Sequence, residues 1–301
     1  MNNENIKIGA GFTLICLLWG STWLAIRVGL DSLTPIFSAG VRFSLASLFI
    51  YSMMRIKGIG IQKDPVAVKL YIIMGIFSFV IPFGLVYWAE QFIQSGLASI
   101  LFGVFPFAVI IFSRIAIPED KVGSYKILGV GLGFGGIILI FSEGLSIDFS
   151  NDFWGMIAIV ISAVMQAVIA VMMKKYGRQL NPLSMNLAPV MIAGAIMVPA
   201  GLLFEDTSRL VFDSKAIFSV TYLAFFGTLL TFTTYYWLMR RMNVVILSLS
   251  SFITPIVAVI LGYLILDEYL TQRHLIGSAL VLIGILLANV RGLINYFIKK
   301  K

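Results

Sequence analysis

Between Lys69 and Glu90 the chain reads LYIIMGIFSFVIPFGLVYWA, residues 70–89, without one charged side chain. A helix rises about 1.5 Å per residue, so roughly 20 mostly apolar residues cross the hydrocarbon core of a bilayer. This stretch has that length. Its apolar residues run continuously rather than in alternation, which favours a helix over a strand of a membrane barrel. Comparable charge-free gaps lie between Asp152 and Lys174, Arg178 and Glu205, Lys215 and Arg240, and Arg241 and Asp267. Shorter apolar stretches cover Ile8 to Ile26, Gly96 to Ser113, Ser124 to Ser142 and Leu275 to Val290, and a span near Pro35 to Met54 contains Arg42. The expectation is an all-α membrane protein with ten transmembrane helices. Only 12% of residues are charged and 59% are hydrophobic, too little polar surface for a soluble chain of this length. A mean hydropathy of +0.99 agrees.

The net charge of +8 would suggest an acidic partner in a soluble protein, but its distribution gives another reason. With the N-terminus inside, the cytoplasmic segments hold Lys7, Arg55, Lys57, Lys63, Lys69, Arg114, Lys121, Lys126, Lys174, Lys175, Arg178, Arg240, Arg241, Arg291 and Lys299 to Lys301. The opposite side has Arg27, Arg209, Lys215 and Arg273. Positive-inside bias of this kind predicts both termini in the cytoplasm, and the membrane expected is a bacterial inner membrane. Basic residues spread over every inner loop serve topology and argue against nucleic acid as a partner. The first apolar segment has the length of a true span and lacks a small-residue cleavage pattern, so no signal peptide is expected.

The chain repeats itself. Tyr87-Trp88 recurs as Tyr236-Trp237, Phe77 as Phe226, Phe83 as Phe232, Ser99 as Ser248, Pro106 as Pro255 and Glu119 as Glu268, all 149 positions apart. Gly129 and Gly136 recur as Gly277 and Gly284 at 148. Each unit holds five spans, and five is odd, so the second unit enters the membrane from the other side. Two inverted five-helix repeats are therefore expected, at 8–145 and 153–292, followed by a basic cytoplasmic tail at 293–301 that can touch anionic headgroups. Like-folded halves of opposite orientation can exchange conformations, which closes one mouth and opens the other around a site near the midplane.

The residues at this point carry a family resemblance. Trp19-Gly20-Ser21-Thr22-Trp23 in the first span, Arg42-Phe43 in the second, and the paired stretches Gly96 to Glu119 and Val245 to Glu268 resemble the EamA-type branch of the drug/metabolite transporter (DMT) superfamily. The resemblance implies a ten-helix inverted-repeat carrier, commonly an exporter of amino acids or related small metabolites. Cargo does not follow from it. The related small multidrug exporters use a buried carboxylate in their first helix, and the first span here contains no acid. That departure argues against their proton-for-cation exchange.

Candidate site residues follow from polarity in apolar surroundings. Arg42, within a span, costs at least a few kcal/mol unless paired or wet, so a partner is expected, with Glu90 and Asp31 at similar depth. Arg42 and Glu90 are the candidates for gating or coupling, against a purely structural pairing. Phe83 with Tyr87, and Phe232 with Tyr236, lie four apart and present one face each, as do Trp19 and Trp23. Substrate-binding candidates are Trp19, Phe83, Tyr87, Ser99, Gln166, Tyr236 and Ser251, which would give an apolar pocket with a few polar anchors, suited to a small amphiphile. Plain core packing or a lipid-interface belt is the competing account of the aromatics. The hydroxyls of Ser99, Ser248, Ser250, Ser251 and Thr254 either line a wet cavity or bond their own helix carbonyls. Pro106 and Pro255 predict kinks in the fourth and ninth spans. The spacings Gly129/Gly133 and Gly131/Gly135 predict close helix packing, against the tenth helix or a second subunit.

Other functions find little support. Cys16 is alone in the first span and His274 is the single histidine, so neither a disulfide nor a metal site is expected. No cofactor motif and no paired catalytic groups of an intramembrane enzyme occur. A nucleotide-linked sugar or phosphorylated metabolite as cargo would want several midplane cations, where Arg42 stands alone. The favoured expectation is a secondary carrier of a small-molecule substrate in a lipid bilayer, monomeric or homodimeric, probing no nucleic acid.

Overall fold

Pro35, Pro65 and Pro182 each open a helix, at a position where a missing N–H leaves no hydrogen bond unmade. Before two of them stand capping side chains: Asp64 accepts from the Ala67 amide and Asn181 from that of Leu183. These local signals punctuate the apolar sequence into rods. The computed structural model describes residues 3–116, 124–144, 151–177, 179–241, 247 and 250–298. Among them run α1 (Asn3–Gly29), α2 (Pro35–Ile56), α3 (Pro65–Ala89), α4 (Ser95–Ala116) and α5 (Ser124–Gly144). After these come α6 (Asn151–Tyr176), α7 (Pro182–Phe204), α8 (Ser214–Met239), α9 (Ser250–Leu266) and α10 (Gln272–Ile298).

Seven of these helices, α1 to α4 and α6 to α8, are long and apolar enough to cross a bilayer. The other three carry shorter apolar stretches, Leu128–Ile140, Ser250–Leu266 and Gln272–Ala288. Large apolar side chains such as Leu48, Ile138, Phe218 and Leu264 are exposed on the outside of the bundle, as lipid-facing residues should be. Glu119, Lys121 and Ser248 lie outside the described residues.

Small residues set how closely the rods approach. Gly129 lies against Gly284 and Ala288, and Gly136 against Gly277, Leu280 and Val281, so α5 and α10 pack antiparallel with backbones in contact. Gly133 shares this face by lying against Gly284 and also meets Phe107 of α4, while Gly131 and Gly135 look into open space. The partner of the glycine run is thus α10, and only one of its two small-residue rows is used. On α2 and α7, Phe37 meets Gly201, Gly40 meets Met197 and Val198, and Ser44 meets Gly194, which again makes the pair antiparallel. In α4 and α9, Ser95 lies by Gly262 and Gly96 by Val259.

Two carboxylates tie helix starts to the other half of the chain. Glu205, at the end of α7, accepts the amides of Ile36 and Phe37 at 2.8 and 2.9 Å. Glu268, just past α9, accepts the Ser95 amide and hydroxyl at 2.9 Å each and the Gly96 amide at 3.1 Å. Neither Thr34 nor Gln94, the residues at those N-caps, caps its own helix with its side chain, so the distant acids do the capping.

α3 and α8 share a feature the apolar pattern does not reveal. Each widens into a π-helical turn near its middle, at Gly75–Val80 and Phe225–Leu230. In α3 the wide turn precedes Pro82, whose ring has no N–H to close a regular turn. In α8 the hydroxyls of Thr228 and Thr231 donate to the carbonyls of Leu223 and Phe226, five residues back. α4 is interrupted at Gly103, three residues before Pro106, whereas α9 continues through Pro255 as one helix.

Candidate functional site

The wide turn of α8 faces Arg42, the charged residue within α2. Arg42 is 1% exposed, the largest of the fully buried side chains among the described residues. Its Nε donates to the Thr228 hydroxyl at 3.1 Å and its Nη1 to the Tyr87 hydroxyl at 3.3 Å. Nη2 approaches the Gly227 carbonyl at 3.5 Å. Phe43 and Phe83 place their rings 5.3 and 5.1 Å from the guanidinium carbon. Bonds to a charged group contribute about 1.5–3 kcal/mol each and desolvated cation–π contacts about 2 kcal/mol, enough to offset the few kcal/mol that a guanidinium costs in a span.

The expected acidic partner of Arg42 is therefore replaced by hydroxyls, a carbonyl and aromatic faces. Asp31 pairs elsewhere, with Lys215 at 2.8 Å on the surface. Glu90 makes no ion pair with Arg42, and both of its carboxylate oxygens are buried without a hydrogen-bond partner.

Aromatic rings extend the site. Phe43 contacts Phe79 and Phe83 edge-on at 5.4 and 5.1 Å, and Phe79 meets Phe232 at 5.5 Å. Phe232 then touches Trp19 at 5.7 Å and Tyr236 at 6.2 Å. Trp19 also meets Tyr235 at 5.1 Å. Five of the sequence candidates, Trp19, Arg42, Phe83, Tyr87 and Tyr236, are thus joined through Phe79 and Phe232 into one cluster fed by α1, α2, α3 and α8. Such edge-on pairs fix ring orientation and leave ring edges to face a guest.

Polar groups at the cluster include one that sequence reasoning passed over. Asn186 of α7 is fully buried, donates its amide to the Thr228 carbonyl at 3.3 Å, and leaves its side-chain oxygen without a partner. The rule that selected Gln166, an uncharged amide within an apolar span, would have selected Asn186 as well. Ser99 is 2% exposed with an unpartnered hydroxyl. Gln166 and Ser251 are half-buried on α6 and α9. Among the described residues, no hydrogen bond or ring contact joins Ser99, Gln166 or Ser251 to the Arg42 cluster.

At one end of the bundle Glu90 follows α3 and Arg27 closes α1. The Arg27 guanidinium donates to the backbone carbonyl of Glu90. Arg27 also lines an open cavity of about 280 Å³ together with Val28, Asp31, Gln94, Leu266, Asp267 and Glu268.

Comparison with known proteins agrees with this architecture. The chain matches the EamA-like transporter family over residues 7–142 and again over 153–290. Protein PagO of Salmonella typhimurium is 28% identical over 287 residues, covering 95% of this chain and 94% of that protein. The uncharacterized transporter YoaV of Bacillus subtilis is 27% identical, covering 93% and 96%. The uncharacterized inner membrane transporter YedA of Escherichia coli is 27% identical, covering 94% and 90%. One solved crystal structure superposes with a TM-score of 0.71 at 18% identity, covering 94% of this chain and 96% of the other, which speaks to the fold.

A multi-pass helical membrane protein of the transporter type is what fold and comparison together define. The chain belongs to the EamA-like transporter family, within the DMT type of carriers.

Proposed function

We propose that the chain is a secondary carrier that exports small metabolites, amino acids or related amphiphiles, by alternating access between two inverted five-helix repeats. The repeats are residues 8–145 and 153–292, with the tail 293–301 and the N-terminus in the cytoplasm of a bacterial inner membrane. The observation that carries this reading is the packing of equivalent helices. α2 lies antiparallel to α7, α5 to α10, and the start of α4 beside the end of α9. Contacts between halves also come in matched sets: α1 packs on α8 and α9 as α6 packs on α3 and α4. A bundle built this way has two equivalent ways to close.

The buried cluster supports the cargo class. Arg42, with N–H donors beyond those that Tyr87, Thr228 and Gly227 accept, offers a carboxylate an anchor, and the aromatic rings offer an apolar side chain a surface. Asn186 adds an unpartnered polar atom. A phosphorylated or nucleotide-linked cargo would call for more than one buried guanidinium.

Two measurements test this. Single cysteines at positions 119 and 268, in a Cys16→Ala background, should label from opposite faces of the membrane; labelling from one face would sink the inverted arrangement. Proteoliposomes should show counterflow of labelled neutral or aromatic amino acids. Counterflow of none of them would remove the cargo assignment.

A further inference from the structure

Glu90 is fully buried, and neither carboxylate oxygen finds a hydrogen-bond donor. The groups around it come from each neighbouring element. Arg27 of α1 reaches its backbone carbonyl, Arg42 of α2 lies further inward, and Glu268 enters from beyond α9. α6 packs here through Gly155 against Ala89, and the acid of its first turn, Asp152, is exposed. Tyr87, nearly one turn inward on α3, is occupied by Arg42.

A carboxylate stripped of water and given no donor is strongly disfavoured against its neutral acid. Burial raises the pKa of Glu90 well above the ordinary carboxylate value, and the charge of Glu268 adds to this, while Arg27 and Arg42 oppose it. Glu90 immediately follows the apolar span, and Arg27 touches both it and the 280 Å³ cavity. Arg27 therefore links the backbone of Glu90 to that open cavity.

We propose that Glu90 is the proton-binding site through which this carrier couples transport to a proton gradient. The inference rests on the carrier reading above and adds its coupling ion. In the arrangement described, Glu90 holds the proton. When the mouth rearranges, the acid O–H bond breaks, the proton passes to water in the cavity, and the carboxylate takes Arg27 or Arg42 as its counter-ion. Reclosure reverses the step: the guanidinium withdraws and the carboxylate takes a proton back.

The proton site can be read without any cargo. Infrared spectra of the purified protein should show the C=O stretch of a neutral carboxylic acid at neutral pH, fading as pH is raised and absent in Glu90→Gln. A Glu90→Gln spectrum identical to wild type overturns the proposal. In proteoliposomes loaded with a labelled amino acid mixture, an imposed pH gradient should drive accumulation by the wild type, its polarity reporting antiport or symport. Glu90→Gln should fall to the level of the gradient-free control while still exchanging label. Gradient-driven accumulation that survives in Glu90→Gln, or is missing in a wild type that exchanges, refutes proton coupling at Glu90. Should Glu90→Gln fail to fold, Glu90→Asp should keep coupling with a shifted pH midpoint, and an unshifted midpoint counts against the site. If the wild type exchanges no amino acid, the cargo reading fails, and the infrared titration still decides the proton site.

Discussion

Arg42 Nε lies 3.1 Å from the hydroxyl of Thr228, which itself donates to the Leu223 carbonyl at 2.9 Å. One threonine thus closes the wide turn of α8 and holds the buried cation of α2, so the two halves of the chain are coupled through it. Thr228→Val keeps the shape and removes both bonds. A lost bond to a charged group predicts a loss of about 1.5–3 kcal/mol, read as a lower thermal midpoint in detergent. Thr228→Ser should retain most of the stability. Equal midpoints for Thr228→Val and wild type would show that the bond contributes nothing.

The glycines of α5 and α10 offer a test with an internal control. A methyl group on Gly284 would come within 2.6 Å of the backbone of Gly129 and Gly133, whereas one on Gly131 or Gly135 would meet nothing within 4 Å. Gly284→Ala should therefore cost about 1–3 kcal/mol through overpacking. Gly131→Ala should stay within about 0.5 kcal/mol of wild type. Comparable losses in both variants would mean that the α5–α10 contact is not the tight one.

How much of this was legible beforehand depends on which physical signal each feature carries. The helices were, because charge-free length and Pro or Asp punctuation act locally. Arg42 was flagged because a guanidinium in an apolar span is costly by itself. Tyr87 was singled out only as part of an aromatic face, and the other partners were not flagged, since the Thr228 hydroxyl and the Gly227 carbonyl come from the wide turn of α8, nearly 190 residues away. The π-helical turns left no periodic trace, as six residues at a different pitch do not disturb an apolar run. Glu268 stood out only as a repeated acid, and its task of capping α4 depends on a contact that no local pattern encodes.

That capping role gives a separable prediction. Glu268→Ala leaves the buried Ser95 and Gly96 amides without their acceptor, at a cost of about 1–3 kcal/mol. Glu268→Gln keeps an acceptor oxygen and loses the charge, a smaller effect of about 0.3–1 kcal/mol from the helix dipole. The same change acts on Glu90. The negative charge of Glu268 raises the pKa of Glu90, so removing it lowers that pKa. Glu90 would then lose its proton at lower pH than in wild type, visible as an earlier fading of the carboxylic acid band. An unmoved band would show that the two acids do not sense each other.

Asn186 and Gln166 are two amides within the spans that a cargo could meet, and their surroundings separate what each should do. Asn186 spends its N–H on the Thr228 carbonyl and keeps a free oxygen, so Asn186→Ala should both loosen the wide turn and raise the half-saturation concentration for cargo. Gln166 is half-buried, with no bond to the Arg42 cluster, so Gln166→Ala should leave folded yield near normal and weaken transport alone. Counterflow at several cargo concentrations, beside thermal midpoints, distinguishes the two cases. Unchanged kinetics in Gln166→Ala would exclude it from the site. A midpoint shift without any change in half-saturation for Asn186→Ala would reduce that residue to a brace for α8.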